Sequence, residues 1–244
     1  MARLPTGVEG FDQLIDGGFL PGSVNLMSGP SGSGKTLFSL TFAYTGAAAG
    51  KENALYVALE EPRPALVKAL QGMGMDPTSL EEKGHLSFLD LGEMRKLAEG
   101  DEFVSFSRLE SMVEGMLVQG KPTRLVVDSL AVVGLTYRSP REFRRELFRF
   151  GRFLQQGDVT SLLLTEMPDG GELTRFGVEQ FVADSFTALH LERHQGELIR
   201  SVVVRKMRYT NHDIALHPFL ITAKGLKVSG DVRLLEGEDG RSRD

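Results

Sequence analysis

Apolar positions along the chain fall into two regimes. Through the first two thirds, short unbroken apolar runs alternate with stretches of helical period. Val24-Asn25-Leu26-Met27, Asn53 through Leu59, residues 85–91, Arg124 through Asp128 and Thr160 through Glu166 read as strands. Their near-continuous apolar character suits strands covered on both faces. Between them, Leu37, Phe38, Leu40, Thr41, Phe42 and Tyr44 predict a helix that ends in Gly46 to Gly50. Pro62 and Pro64 suit the first turn of a helix carrying Leu66, Val67 and Leu70 on one face. Phe103, Phe106, Leu109, Val113 and Leu117 mark another, and an Arg-rich helix follows at 140–156. Residues 4–22 are a Gly/Pro-punctuated entry with a short amphipathic piece at Phe11, Leu14 and Ile15.

From Phe186 the pattern becomes strands in series, 186–192, 198–206 and 214–222, separated at Gly196 and Asn211-His212-Asp213. That spacing predicts antiparallel pairing. The expected class is α/β: a mostly parallel sheet sandwiched by helices, with antiparallel strands added at the C-terminal side. Residues 1–234 are expected to form one domain, and 235–244 (EGEDGRSRD after Leu235) a disordered tail.

In such sheets ligands sit at the carboxyl ends of strands. After the first strand comes Gly29-Pro30-Ser31-Gly32-Ser33-Gly34-Lys35-Thr36, which satisfies G-x-x-x-x-G-K-[ST] at every fixed position. Glycines let successive backbone N–H groups turn onto a polyphosphate, and the following helix, starting at Lys35, Thr36 and Leu37, directs its positive end at the same anion. Lys35 would neutralise the β/γ-phosphates, and the Thr36 hydroxyl would ligate Mg²⁺. Asp128 ends an apolar strand and would hold the metal shell with Thr36. Glu60 and Glu61 end the neighbouring strand, where a carboxylate would activate the attacking water. Adjacent side chains on an extended chain face opposite ways, so one of the two is expected to serve, with Glu60 preferred. Thr165 and Glu166 are candidates for sensing the γ-phosphate.

Composition narrows the class. The 244 residues are enough for one large α/β domain, and there is no cysteine, which removes disulfides and thiolate chemistry together. No apolar leader and no long uncharged run is visible, so a cytoplasmic location with no membrane association is expected. Net charge is −5, which argues against a nonspecific nucleic-acid coat. Arg138, Arg141, Arg144, Arg145, Arg149 and Arg152 are the one support for a DNA-stimulated, recombinase-like activity. Interleaved with Glu142 and Glu146, they read as spread over several helix faces and mostly salt-bridged. His190, His194, His212 and His217 form no ligand motif with nearby acids, so zinc is not expected, and His194 is expected to face solvent.

Together these motifs resemble the KaiC-type ATPase domain of the RecA superfamily, from about Gly7 to Val228. Thr6 through Asp12 with Gly17-Gly18 resembles that family's opening, and Glu60-Glu61 its paired catalytic glutamates. Phe143 through Arg149, Phe176 through Asp184 and Lys206 through Asp213 complete the match. The resemblance implies a RecA-like P-loop NTPase that hydrolyses ATP with Mg²⁺ in a homo-oligomeric ring, usually a hexamer. Lys206, Arg208 and His212 would then contact the neighbour's phosphates, and nucleotide state would signal to a protein partner. An alternative is a nucleotide-gated scaffold with little turnover, because Tyr209 stands where the family has glycine and Ile214 where it has lysine. Gln180 and Phe181 occupy the place of the Ser and Thr acceptors of the family's phosphorylating domains, so autokinase activity is not expected.

Overall fold

In the computed structural model, residues 2–50, 52–92, 104–168, 171–194 and 196–234 are described. Expectations about 235–244, Phe103 and the His194 side chain lie outside them. Nine strands form one sheet in the order β3-β2-β4-β5-β1-β6-β7-β8-β9. The parallel half contains β1 (Val24–Gly29), β2 (Ala54–Ala58), β3 (Leu86–Asp90), β4 (Arg124–Asp128) and β5 (Thr160–Glu166). The remainder comprises β6 (Ser185–His194), β7 (Glu197–Met207), β8 (His217–Thr222) and β9 (Gly225–Val228). Pairing is antiparallel from β6 to β9, as the serial strands predicted. The change of direction falls between β6 and β7, because β6 itself lies parallel to β1. Strand β9 was not anticipated.

The helices are α1 (Phe11–Leu14), α2 (Lys35–Ala48), α3 (Arg63–Gly72), α4 (Thr78–Glu82), α5 (Phe106–Gly120), α6 (Leu130–Gly134), α7 (Pro140–Gln156) and α8 (Glu179–Val182). On one face of the sheet Phe11, Phe38, Phe42, Leu66 and Leu70 pack over Met27, Tyr56, Val126, Leu162 and Leu164. On the other, Phe106, Phe143, Leu147 and Phe150 cover Leu26, Leu55, Val127 and Leu163. Strands buried on both faces are what unbroken apolar runs require. Among the described residues, no helix is long and apolar enough to cross a membrane.

Helix α2 ends at Ala48, within the Gly46 to Gly50 stretch where the sequence placed its end, and so includes Gly46. The missing side chain is used by packing, since a Cβ there would lie 2.3 Å from Arg124 Nε. Arg124 is buried at the start of β4, ion-paired with Glu52, and its Nη1 donates to the carbonyls of Pro5 (2.8 Å) and Phe42 (2.9 Å). A buried guanidinium so satisfied ties the N-terminal segment, α2 and β4 together. That fixes α2, and with it the loop at its head, against the sheet.

Candidate functional site

Loop 30–34 joins the C-terminal end of β1 to α2. Gly32 and Gly34 have φ of 77° and 103°, a region open to glycine and strained for other residues, so the loop curls tightly. Gly34 precedes α2 without any side-chain cap, and the first backbone bond into the helix is Phe38 N–H to the Gly34 carbonyl. The N–H groups of Lys35, Thr36 and Leu37 therefore have no acceptor inside this 14-residue helix. Such an end attracts anions.

Around this end the expected acids gather. Thr36 Oγ1 donates to Asp128 Oδ2 at 2.9 Å, and the Tyr56 hydroxyl donates to the same oxygen at 2.7 Å. Burial pushes the Asp128 carboxyl up, against the lowering effect of those two bonds and of Lys35. Lys35 Nζ donates to the carbonyls of Gly29 (2.8 Å) and Pro30 (3.0 Å). Burial lowers its pKa, while the charges of Asp128, Glu166 and Glu60 work to raise it. Glu60 Oε1 accepts from Ser129 Oγ at 2.9 Å. Its carboxyl is pushed up by burial, with the Ser129 bond opposing and the Asp128 and Glu166 charges adding. Glu61 is raised by burial and then by Asp128 and Glu60. Of the paired glutamates, Glu60 is the one whose charge acts on Lys35.

Two expectations are corrected. Thr165 does not face the loop: it is fully buried on the far side of the sheet, where its hydroxyl donates to Glu179 Oε1 at 3.0 Å. Period-2 alternation along β5 puts it on the side of Leu163, leaving Glu166 on the loop's side with Leu164. The α7 arginines are not scattered. Arg141, Arg144, Arg145, Arg149 and Arg152 are all exposed, and at about 3.6 residues per turn they share an arc of roughly 140°. Arg145 and Arg149 both pair with Glu146, whereas Arg144 lies over the Phe181 ring.

Lys206, Arg208 and His212 lie at the opposite end of the sheet. Ser185 at the start of β6 pairs with Met207 at the end of β7, while Arg200 reaches the phosphate loop, its Nε donating to the Gly32 carbonyl at 3.1 Å. Six steps of about 3.3 Å separate Arg200 from Lys206, roughly 20 Å along the strand. Lys206 Nζ donates to the carbonyls of Gln180 and Ala183. Arg208 Nη1 donates to Asp184 Oδ1 at 3.0 Å, and His212 Nδ1 lies 3.2 Å from the Thr210 carbonyl. None of the three can reach the loop of its own chain.

Sequence reasoning missed Tyr56, Ser129, Arg200 and Glu179. Tyr56 left a signal, since a buried phenol within an apolar strand must find a polar partner. Glu179 is fully buried, accepting from Thr165 Oγ1 and from the backbone N–H of Phe176 and Val178. The backbone donors to Glu179 belong to a loop that no periodicity describes.

Thr36 and Asp128 offer hard oxygen donors, and the described residues contain no cluster of three or more His, Cys, Asp or Glu able to hold a metal by themselves. That donor set fits Mg²⁺, which is held by one or two protein oxygens plus phosphates and water.

A family model described as "ATPase: KaiC" matches residues 4–233. The circadian clock oscillator protein KaiC of Synechococcus elongatus is 33% identical over 93% of this chain and 44% of its own length. That of Parathermosynechococcus lividus is 32% identical over 91% of this chain and 41% of its own. The chain thus spans about half the length of the curated relatives it matches. The crystal structure of a KaiC-like protein from the hyperthermophilic archaeon Pyrococcus horikoshii superposes with a TM-score of 0.81 at 32% identity, covering 93% of this chain and 98% of that one.

Proposed function

The chain belongs to the KaiC family of ATPases, and we propose that it binds and hydrolyses Mg-ATP in a homo-oligomeric ring, with residues 1–234 acting as one ATPase unit. The observation that carries this reading is the convergence of Lys35, Thr36, Asp128 and Glu60 on the uncapped head of α2. In it, the N–H groups of the loop and of Lys35 to Leu37 bind the phosphates. Lys35 exchanges its two carbonyl acceptors for β/γ-phosphate oxygens. Thr36 and Asp128 would hold Mg²⁺, which would supply charge neutralisation for the phosphates. Glu60, held by Ser129, takes a proton from the attacking water; burial raises its basicity toward that task.

Ring assembly is supported by the roughly 20 Å between Lys206 and the loop of its own chain. Cations placed there serve a nucleotide only on another copy, through a heterologous head-to-tail contact. A mixing experiment tests both halves. The double variant Glu60→Gln/Glu61→Gln lacks the base, and Lys206→Ala/Arg208→Ala lacks the trans cations. Each alone is expected to be inactive, whereas an equal mixture regains about one quarter of wild-type turnover, because one interface in four pairs two intact halves. No recovery on mixing, with both variants assembled, would sink the shared-site reading. Lys35→Ala is expected to abolish nucleotide binding outright.

One observation favours a slower, nucleotide-gated scaffold as a second reading: Lys206 and Arg208 already have partners within their own chain. Those contacts must break before either cation reaches a neighbour. ATP-dependent assembly with negligible single-turnover hydrolysis would select it. In either case the ring's nucleotide state would act on a protein partner.

A further inference from the structure

The acids around the phosphate loop outnumber its cations. Glu60, Asp128 and Glu166 act on one lysine there, and Arg200 reaches only the Gly32 carbonyl, so acids are in excess before any triphosphate arrives. A further cation stands at the edge of the site. Arg175 Nη1 donates to Glu166 Oε2 at 2.9 Å, and both side chains are part-exposed, at 44% and 41%. Glu166 is the last residue of β5, directly across from Gly29 on β1. The next N–H, that of Met167, donates to the Gly29 carbonyl, the acceptor that Lys35 Nζ also uses. One carboxylate therefore separates the Arg175 guanidinium from the lysine at the heart of the loop.

The backbone carrying Arg175 is firmly held, while its side chain is part-exposed. Thr174 is buried, and its hydroxyl donates to Gln180 Oε1 at 2.8 Å. Phe176 packs against Phe143 with tilted rings, centroids 4.4 Å apart, and fills the space over Gly134, where a Cβ would lie 2.0 Å from its ring. The Phe176 N–H is bound by the buried Glu179. A long side chain on a pinned backbone, parked on an acid beside the site, is arranged to change partners.

We propose that Arg175 reads the terminal phosphate of the nucleotide: with ATP its guanidinium leaves Glu166 for the γ-phosphate, and with ADP it stays on Glu166. This rests on the ATP-binding reading above and adds a cation from the same chain to those supplied by the neighbour. A planar guanidinium is suited to bidentate capture of either anion, so both states are satisfied and the choice depends on whether the third phosphate is present.

Calorimetric titration of the full chain with Mg-ADP and with the Mg complex of a β,γ-imido ATP analogue tests it. Arg175→Ala is expected to weaken the analogue about tenfold or more, as loss of a hydrogen bond to a charged group does, while leaving ADP within about twofold. Arg175→Lys, which keeps the charge, should recover part of the loss. Glu166→Gln should shift the ratio the other way by freeing the guanidinium. If Arg175→Ala weakens both nucleotides equally, or neither, the Glu166–Arg175 pair is a structural rim contact and the proposal falls. Wild-type protein that binds neither nucleotide would overturn the ATP-binding reading itself.

Discussion

Tyr56→Phe is the most informative single change, because it removes one oxygen and leaves the packing. The Tyr56 ring is fully buried among the apolar side chains under α2, and its hydroxyl donates to Asp128 Oδ2 at 2.7 Å while lying 3.0 Å from Ser39 Oγ. Phenylalanine fills the same ring volume, and Ser39 keeps its own bond to the Thr36 carbonyl. What is lost is a neutral donor on a carboxylate, worth about 1.5 kcal/mol. That bond favours the ionised form and so lowers the Asp128 pKa; its removal raises further a carboxyl already lifted by burial. At about 1.4 kcal/mol per unit, the shift is about one pH unit upward. Metal and proton compete for this oxygen, so the acid limb of Mg²⁺-dependent hydrolysis moves to higher pH by that amount. Turnover on the alkaline plateau should change little. The assay is the pH profile of kcat/KM for Mg-ATP in wild type and variant. An acid limb that stays within about 0.3 unit would refute the assignment of Asp128 to the metal shell and of Tyr56 to its tuning.

Asp128→Asn should abolish hydrolysis yet stabilise the nucleotide-free protein. The folded-state pKa of Asp128 is raised, so its ionised form opposes folding above that pKa, and the penalty fades as pH falls through the ordinary carboxylate range. Tm should rise at neutral pH, with the gain narrowing in acid; equal melting at neutral pH would contradict it. Tyr209 sits at φ 58° with its side chain 91% exposed, so Tyr209→Gly relieves left-handed strain without loss of packing. A gain of about 1 kcal/mol in urea unfolding of the nucleotide-free protein is expected, and a loss would mean the ring has an unseen contact. Glu179→Gln replaces an acceptor of two backbone N–H groups and a hydroxyl by an amide that must turn a donor toward one of them. Stability should fall by about 2 kcal/mol in the same assay, with no change if the site is water-filled.

How much of this was readable depends on where each contact's partner lies in the chain. The phosphate loop was legible because its conformation is set by consecutive residues, Gly32 and Gly34 at positive φ and Lys35 and Thr36 opening a helix. Asp128 was legible because an acid at the end of an apolar strand has few other uses. Why α2 carries a glycine at position 46 was not legible, since the side chain packed against it is that of Arg124, which is distant in sequence and buried. The direction of β6 was hidden for the same reason: its parallel partner is Asn25 to Ser28. The shared face of the α7 arginines, by contrast, was present in their spacing and needed only the helical period.

The two ends of the proposed shared site are joined through one segment of chain. From Glu166 at the phosphate loop the backbone passes Arg175, packs Phe176 on Gly134 and Phe143, and turns through α8, whose Glu179 reaches back to Thr165 on β5. It then supplies the Gln180 and Ala183 carbonyls that hold Lys206 and the Asp184 carboxylate that holds Arg208. Asp184 also accepts from the Val24 N–H, at the start of the strand that ends in the loop. The residues that would release the trans cations are therefore within about ten positions of the residue proposed to sense the cis phosphate, on a backbone clamped in between. A rearrangement at Arg175 has a short covalent route to the Gln180 and Ala183 carbonyls that hold Lys206. Segment 171–184 is where a nucleotide state in one subunit would become a contact with the next.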